Sequence, residues 1–147
     1  MFKHILIPVD GSDFSDRAVD TGVRFAKSLN ARITGFIAEP EYKLPTHGEI
    51  VSRTAVSMYE HEDKARKHAE GVLKRIAERA KAEGVQYDSG FVASDQPADA
   101  IVEAAEQHHC DLILMVSHAR RGLDKLLHGS VAGTVMARTR VPVLVLH

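Results

Sequence analysis

Hydrophobic positions along the chain follow two alternating modes. Runs apolar at nearly every position, "KHILIPVD", "ARITGFIAEP", "VQYDSGFVA", "DLILMVS" and "VPVLVLH", suit strands covered by helices on both faces. Between them, apolar residues recur at helical spacing. Ala18, Val19, Gly22, Val23, Ala26 and Leu29 mark a first helix, with Ser15 as its expected N-cap and Asp16 in its first turn. Ala65, Ala69, Val72, Leu73, Ile76 and Ala80 mark one face of a long helix whose other face is charged and which Gly84 stops. Pro97 and Asp99 open a third helix, buried along Ile101, Val102 and Ala105. Ser130 is placed to cap a fourth, carrying Val131, Val135 and Met136. Residues 39–56 hold two prolines and a glycine without firm periodicity, and are expected to form a lid or a surface excursion.

Five strands alternating with four helices predict one open, doubly wound α/β domain over residues 1–147. Its sheet is parallel, with right-handed crossovers and helices on both faces. The 147 residues, 44% hydrophobic and 27% charged, suffice for a single core and exclude general disorder. A formal net charge of -1 gives no long-range attraction to nucleic acid or an anionic membrane. No apolar run approaches the ~20 residues that span a bilayer, and the start lacks a signal-peptide pattern. The expected location is the cytoplasm. Cys110 is the one cysteine, expected to be a buried spectator thiol in a reducing compartment.

Ligands of such sheets collect beyond the carboxyl ends of the strands, where strand order reverses. Strand one ends in Pro8-Val9-Asp10-Gly11-Ser12, where Asp10 has the chemistry to accept hydrogen bonds from ribose hydroxyls. Taken alone, Asp10 and Ser12 equally satisfy a turn and a helix start. Strand four ends at Ser117, and Gly129-Ser130 opens the next helix, whose amides and positive end suit a phosphate. As an N-cap alone, Ser130 needs no ligand; that role is worth ~1 kcal/mol.

Together, "ILIPVDGS" near the start, "SHARRGLDKLLHGSVAGTVM" late in the chain and "VPVLVL" at its end resemble the universal stress protein family over essentially the whole length. The resemblance implies an adenine nucleotide alpha hydrolase-like sheet of order 3-2-1-4-5. It also implies a homodimer built through the terminal strand, Val141 to Leu146, and a stress-survival role as a binding or interaction module rather than an enzyme of metabolic turnover. Nucleotide-binding members carry a loop of form G-x2-G-x9-G-[ST], whose glycines let the backbone approach the triphosphate. Mapped onto this sequence, those positions are Val116, Ala119 and Gly129, followed by Ser130. The implied contact set is Pro8, Val9 and Asp10 toward adenosine and Ser117, His118, Ala119, Arg120, Gly129, Ser130 and Val131 toward phosphate. Two of the three glycines are absent, and a Cβ where φ is positive or phosphate must touch backbone costs on the order of 1 kcal/mol. ATP binding is therefore expected to be weak or absent. The alternatives are an adenine-nucleotide protein, for ATP, AMP or a cyclic nucleotide, with slow ATPase or autophosphorylating activity.

Other constellations carry less. "GSVAGT" lacks the lysine of a P-loop. Ser130, His118 and Asp10 lack the G-x-S-x-G elbow of a hydrolase, and no poised general base is evident beside Ser130. His108, His109 and Cys110 are adjacent, so their side chains diverge, and His61 and His68 lie about two helical turns or ~10 Å apart. No directly bound metal ion is expected.

Overall fold

The structure, a computed structural model, describes residues 1–9, 13–41, 51–116 and 131–146. Along them run β1 (His4–Pro8), α1 (Asp13–Leu29), β2 (Arg32–Glu39), α2 (Val51–Ala82), β3 (Tyr87–Ala93), α3 (Pro97–Gln107), β4 (Leu112–Val116), α4 (Val131–Arg138) and β5 (Val143–Leu146). The strands form one parallel sheet of order β3-β2-β1-β4-β5, the expected topology.

Unbroken apolar runs in the inner strands feed two cores, one on each face of the sheet. Ile5 and Ile7 of β1 join Ile33 and Ile37 of β2 beneath α1 and α2, where Val19, Val23, Val72 and Ile76 close the layer. Leu6, between them in sequence, faces the opposite way, with Phe36, Ile113 and Met115 under Ile101, Ala105, Ala132 and Val135 of α3 and α4. Successive strand side chains point to opposite faces, so a strand buried on both reads as a nearly continuous apolar run, interrupted here where His4 and Thr34 hydrogen-bond each other. Arg79 of α2 bonds Asp20 of α1, and Arg138 of α4 bonds Asp99 of α3, tying each helix layer together.

Three helices end alike. Asn30, Gly84 and His109 take positive φ, 53°, 71° and 53°. The amide after each returns to the carbonyl five residues back: Ala31 to Ala26, Val85 to Ala80 and Cys110 to Ala105. This is the Schellman arrangement, which satisfies carbonyls that the helix leaves open.

Four details correct the sequence expectations. Ser15 lies inside α1, which begins at Asp13, so it does not cap that helix. Residues 51–56, assigned above to an excursion, belong to α2, which is 32 residues long. The stripe continues upstream as Ala65, Met58, Ala55 and Val51, but with one apolar residue per turn it is too thin to stand out. In α4 the buried positions are Ala132 and Val135, while Val131 and Met136 are each 40% exposed. Finally, β3 is not covered on both faces: it is an edge strand, half-buried only at Tyr87 and Gly90. Of the lid or excursion expected over residues 39–56, Glu39 belongs to β2 and residues 42–50 lie outside the described residues.

Candidate functional site at the strand-order reversal

Strand order reverses between β1 and β4, because the chain leaves β1 toward β2 on one side and later returns to β4 on the other. Their register pairs Ile5 with Leu112 and Leu6 with Ile113. Continued along the same parallel pair, it brings Pro8 level with Met115. Both tips therefore open on the carboxyl edge, the place where α/β sheets take ligands.

Pro8 closes β1 half-buried. Val9 is buried, and its amide donates to the Phe36 carbonyl of β2 at 2.9 Å, which fixes the chain direction where Asp10 follows. Val131 starts α4 immediately after Ser130 and is exposed. Val116 is the last residue of β4, paired with Leu146. It is not among the positive-φ residues, so the first glycine position of the expected loop is occupied here by ordinary extended backbone. Asp10, Ser117, His118, Ala119, Arg120, Gly129 and Ser130 lie outside the described residues. So does the rest of 117–130. The described framework brings their sequence neighbours, Val9, Val116 and Val131, to the ends of the elements that border the reversal.

One polar pair at this edge escaped the sequence reading. His68 Nδ1, from α2, donates to Glu39 Oε1 at the tip of β2, 2.5 Å away. The Glu39 side chain is 18% exposed and that of His68 49%. The partners are 29 residues apart on different elements, so no local spacing announces them.

At the opposite, amino edge of the sheet stands a second polar cluster. His4 is buried and shares a 2.7 Å hydrogen bond between Nε2 and Thr34 Oγ1, while its Nδ1 has no hydrogen-bond partner among the described residues. Burial, then the charges of Arg32 and His108, pushes its pKa below the ordinary 6.5, against the pull of Asp111. Asp111 accepts from the amides of Lys3 and His4 at 2.8 and 2.9 Å, pinning the start of β1 to the start of β4. Cys110 is buried beside this cluster, and burial pushes its thiol up to about 12, leaving it protonated and unreactive at neutral pH. Among the described residues no group of three His, Cys, Asp or Glu is disposed to hold a metal ion. None of the described helices is long and apolar enough to cross a membrane.

The sequence profile described as the universal stress protein family matches residues 1–147, and the chain belongs to that family. Its relatives include universal stress protein MJ0531 of Methanocaldococcus jannaschii, 31% identical over 99% of this chain and 82% of that one. Universal stress protein YxiE of Bacillus subtilis is 29% identical over 99% of each. Among solved structures, protein MJ0577 of Methanocaldococcus jannaschii superposes with a TM-score of 0.78 at 24% identity, over 99% of this chain and 96% of that one. A universal stress protein in complex with cAMP superposes with a TM-score of 0.72 at 25% identity, over 99% and 97%.

Proposed function

We propose that this chain is a homodimeric binding module of the cytoplasmic stress response, and that it takes an adenine nucleotide at the β1/β4 reversal with a preference for one phosphate over three. The observation that carries the nucleotide reading is the convergence of β1, β4 and α4 on one edge of the sheet. Asp10 is the proposed ribose acceptor. Ser130 and the first amides of α4 are the proposed phosphate donors, because a helix amino end offers unpaired N–H groups and a partial positive charge. Pro8 and Val9 form the adenosine side, and Ser117, His118, Ala119, Arg120, Gly129 and Val131 line the phosphate side. The similar protein complexed with cAMP supports an adenine nucleotide as the ligand.

Phosphate count is where this sequence is weakest. With a side chain at Val116 and at Ala119, a triphosphate loses close backbone approach at two points, whereas one phosphate needs only the Gly129-Ser130 end. Titration calorimetry with cAMP, AMP and MgATP tests this directly. The expected order is tighter binding of the monophosphates, with MgATP no tighter than tens of micromolar. Low-micromolar MgATP affinity, or release of γ-phosphate on incubation, would instead favour the ATP-handling alternative.

The dimer is proposed through β5. Its outer side pairs with no strand among the described residues, its four residues are only half-buried, and Val141 to Leu146 carry no charge. Such an edge invites pairing with an identical copy. Sedimentation should give twice the 16.2 kDa of one chain, and Val145→Lys should return it to the single-chain mass. A wild-type protein that sediments only at the single-chain mass at micromolar concentration overturns the dimer.

A further inference from the structure

We propose that the outer edge of β3, which pairs with no strand among the described residues, is a docking site for an extended segment of another polypeptide, one that alternates apolar residues with lysine or arginine and joins the sheet as a strand beside Phe91 and Ala93. The two sheet edges differ in their chemistry. Along β5 the edge is uncharged. Along β3 the apolar Phe91 and Val92 are 41% and 37% exposed, and Asp88 lies on the strand itself.

Backbone geometry narrows the docking segment. In a parallel pair, alternate residues direct both N–H and C=O toward the neighbouring strand. Ser94 N–H donates to Glu39 at 2.7 Å, and the Gln86 carbonyl accepts from Ile33 at 2.9 Å, so the even-numbered residues face β2. Tyr87, Ser89, Phe91 and Ala93 then direct their backbone outward. The Ser89 N–H is already taken by Asp88 Oδ1 at 2.8 Å, which shields that end. Phe91 and Ala93 remain as the outward donors at the other.

Beside this open half runs a groove of about 580 Å³ between β3 and α3. Phe36, Gly90 and Val92 line it along the sheet, and Glu41, Asp95, Asp99 and Glu103 bring four carboxylates to it. Arg138 bonds Asp99, Asp95 accepts from the Glu41 amide at 3.2 Å, and among the described lining residues His108 is the one able to carry a positive charge. Charge selects the occupant. A second copy paired edge to edge would bring both acidic sets together, which opposes self-association here as surely as the neutral β5 edge permits it. In an added strand, side chains alternate between faces. One set lies over the acidic groove and suits Lys or Arg, whose methylene stems cover the apolar lining. The other lies on the face of Phe91, opposite Gly90 and Val92, and suits Val or Ile.

The test is titration of the 15N-labelled full chain with a short, end-blocked peptide alternating lysine and valine, followed by amide hydrogen exchange. Exchange at Phe91 and Ala93 is expected to slow by roughly tenfold or more at saturation, with affinity falling as salt rises. Glu41→Lys combined with Glu103→Lys, both on exposed side chains, should weaken binding by roughly tenfold, and Phe91→Pro should abolish it by removing an outward donor. Three results overturn the proposal: no protection at Phe91 and Ala93, equal binding of the glutamate-for-lysine peptide, or protection that appears without peptide as protein concentration rises. None of these outcomes depends on nucleotide binding.

Discussion

His4 Nε2 lies 2.7 Å from Thr34 Oγ1 in a part of the sheet that excludes water, so a titratable ring depends on one neutral hydroxyl for its hydrogen bond. Burial and the charges of Arg32 and His108 hold its folded pKa below 6.5, while the unfolded chain titrates near that value. Above pH 6.5 both states are neutral and His4 contributes no pH dependence. As pH falls below it, the unfolded chain takes up the proton first, and stability declines down through the folded pKa. The urea midpoint of the wild type should therefore drop on acidification from pH 7 to pH 5, and His4→Gln should flatten part of that slope. An unchanged slope would show that His4 is not buried neutral. Thr34→Val, which strands the ring nitrogen, should cost about 1–3 kcal/mol at pH 7.5.

Tyr87 and Gly35 face each other across β2 and β3 in a fit that leaves no room for a methyl group. A Cβ on Gly35 would stand 2.8 Å from Tyr87 Oη and 3.2 Å from Ile76 Cδ1, while that hydroxyl donates to the Leu73 carbonyl of α2 at 3.0 Å. Gly35→Ala should destabilise by about 1–3 kcal/mol and Tyr87→Phe by about 1 kcal/mol. Because Phe removes the nearest atom, though it keeps the ring carbon Cε2 at 3.1 Å, the double variant should lose less than the two single losses combined. Additive losses in chemical denaturation would place the strain at the Tyr87 ring carbon or at Ile76 instead.

The layer order was legible because the inner strands are apolar on both faces, and few folds bury such strands other than between two helix layers. Ser15 misled because an Asp-Phe-Ser-Asp run offers several N-cap candidates, and only the backbone shows that the helix begins at Asp13. The exposure of β3 was partly legible, since Gln86, Asp88, Ser89 and Gly90 interrupt "VQYDSGFVA", but which edge it takes follows from topology. At the candidate site, Pro8 ends β1, Val9 follows it and Val131 starts α4. The Glu39–His68 pair joins two elements and had no signature in either.

His109 takes φ 53° at the end of α3, where Gly84 serves the same purpose after α2. A side chain in that conformation costs on the order of 1 kcal/mol, and the exposed imidazole makes no hydrogen bond among the described residues that offsets it. His109→Gly should raise stability by about 0.5–1 kcal/mol, read as a higher urea midpoint with the slope unchanged. A destabilised variant would mean that the His109 side chain supports the turn before β4.

Val116 and Ala119 make the phosphate question separable. Because Val116 is extended and paired with Leu146, its side chain does not obstruct through backbone strain, and any obstruction there is steric crowding of an approaching phosphate. Val116→Gly should therefore cost stability, about 1 kcal/mol for a glycine in a strand, while improving MgATP binding only if phosphate passes close to the tip of β4. Ala119→Gly tests the second position. Combined, the two substitutions should tighten MgATP by roughly tenfold and leave AMP nearly unchanged, since the proposed site asks a single phosphate to meet only the Gly129-Ser130 end. If AMP gains as much as MgATP, the missing glycines act on the whole pocket rather than on the triphosphate, and the proposed preference for one phosphate loses its physical basis.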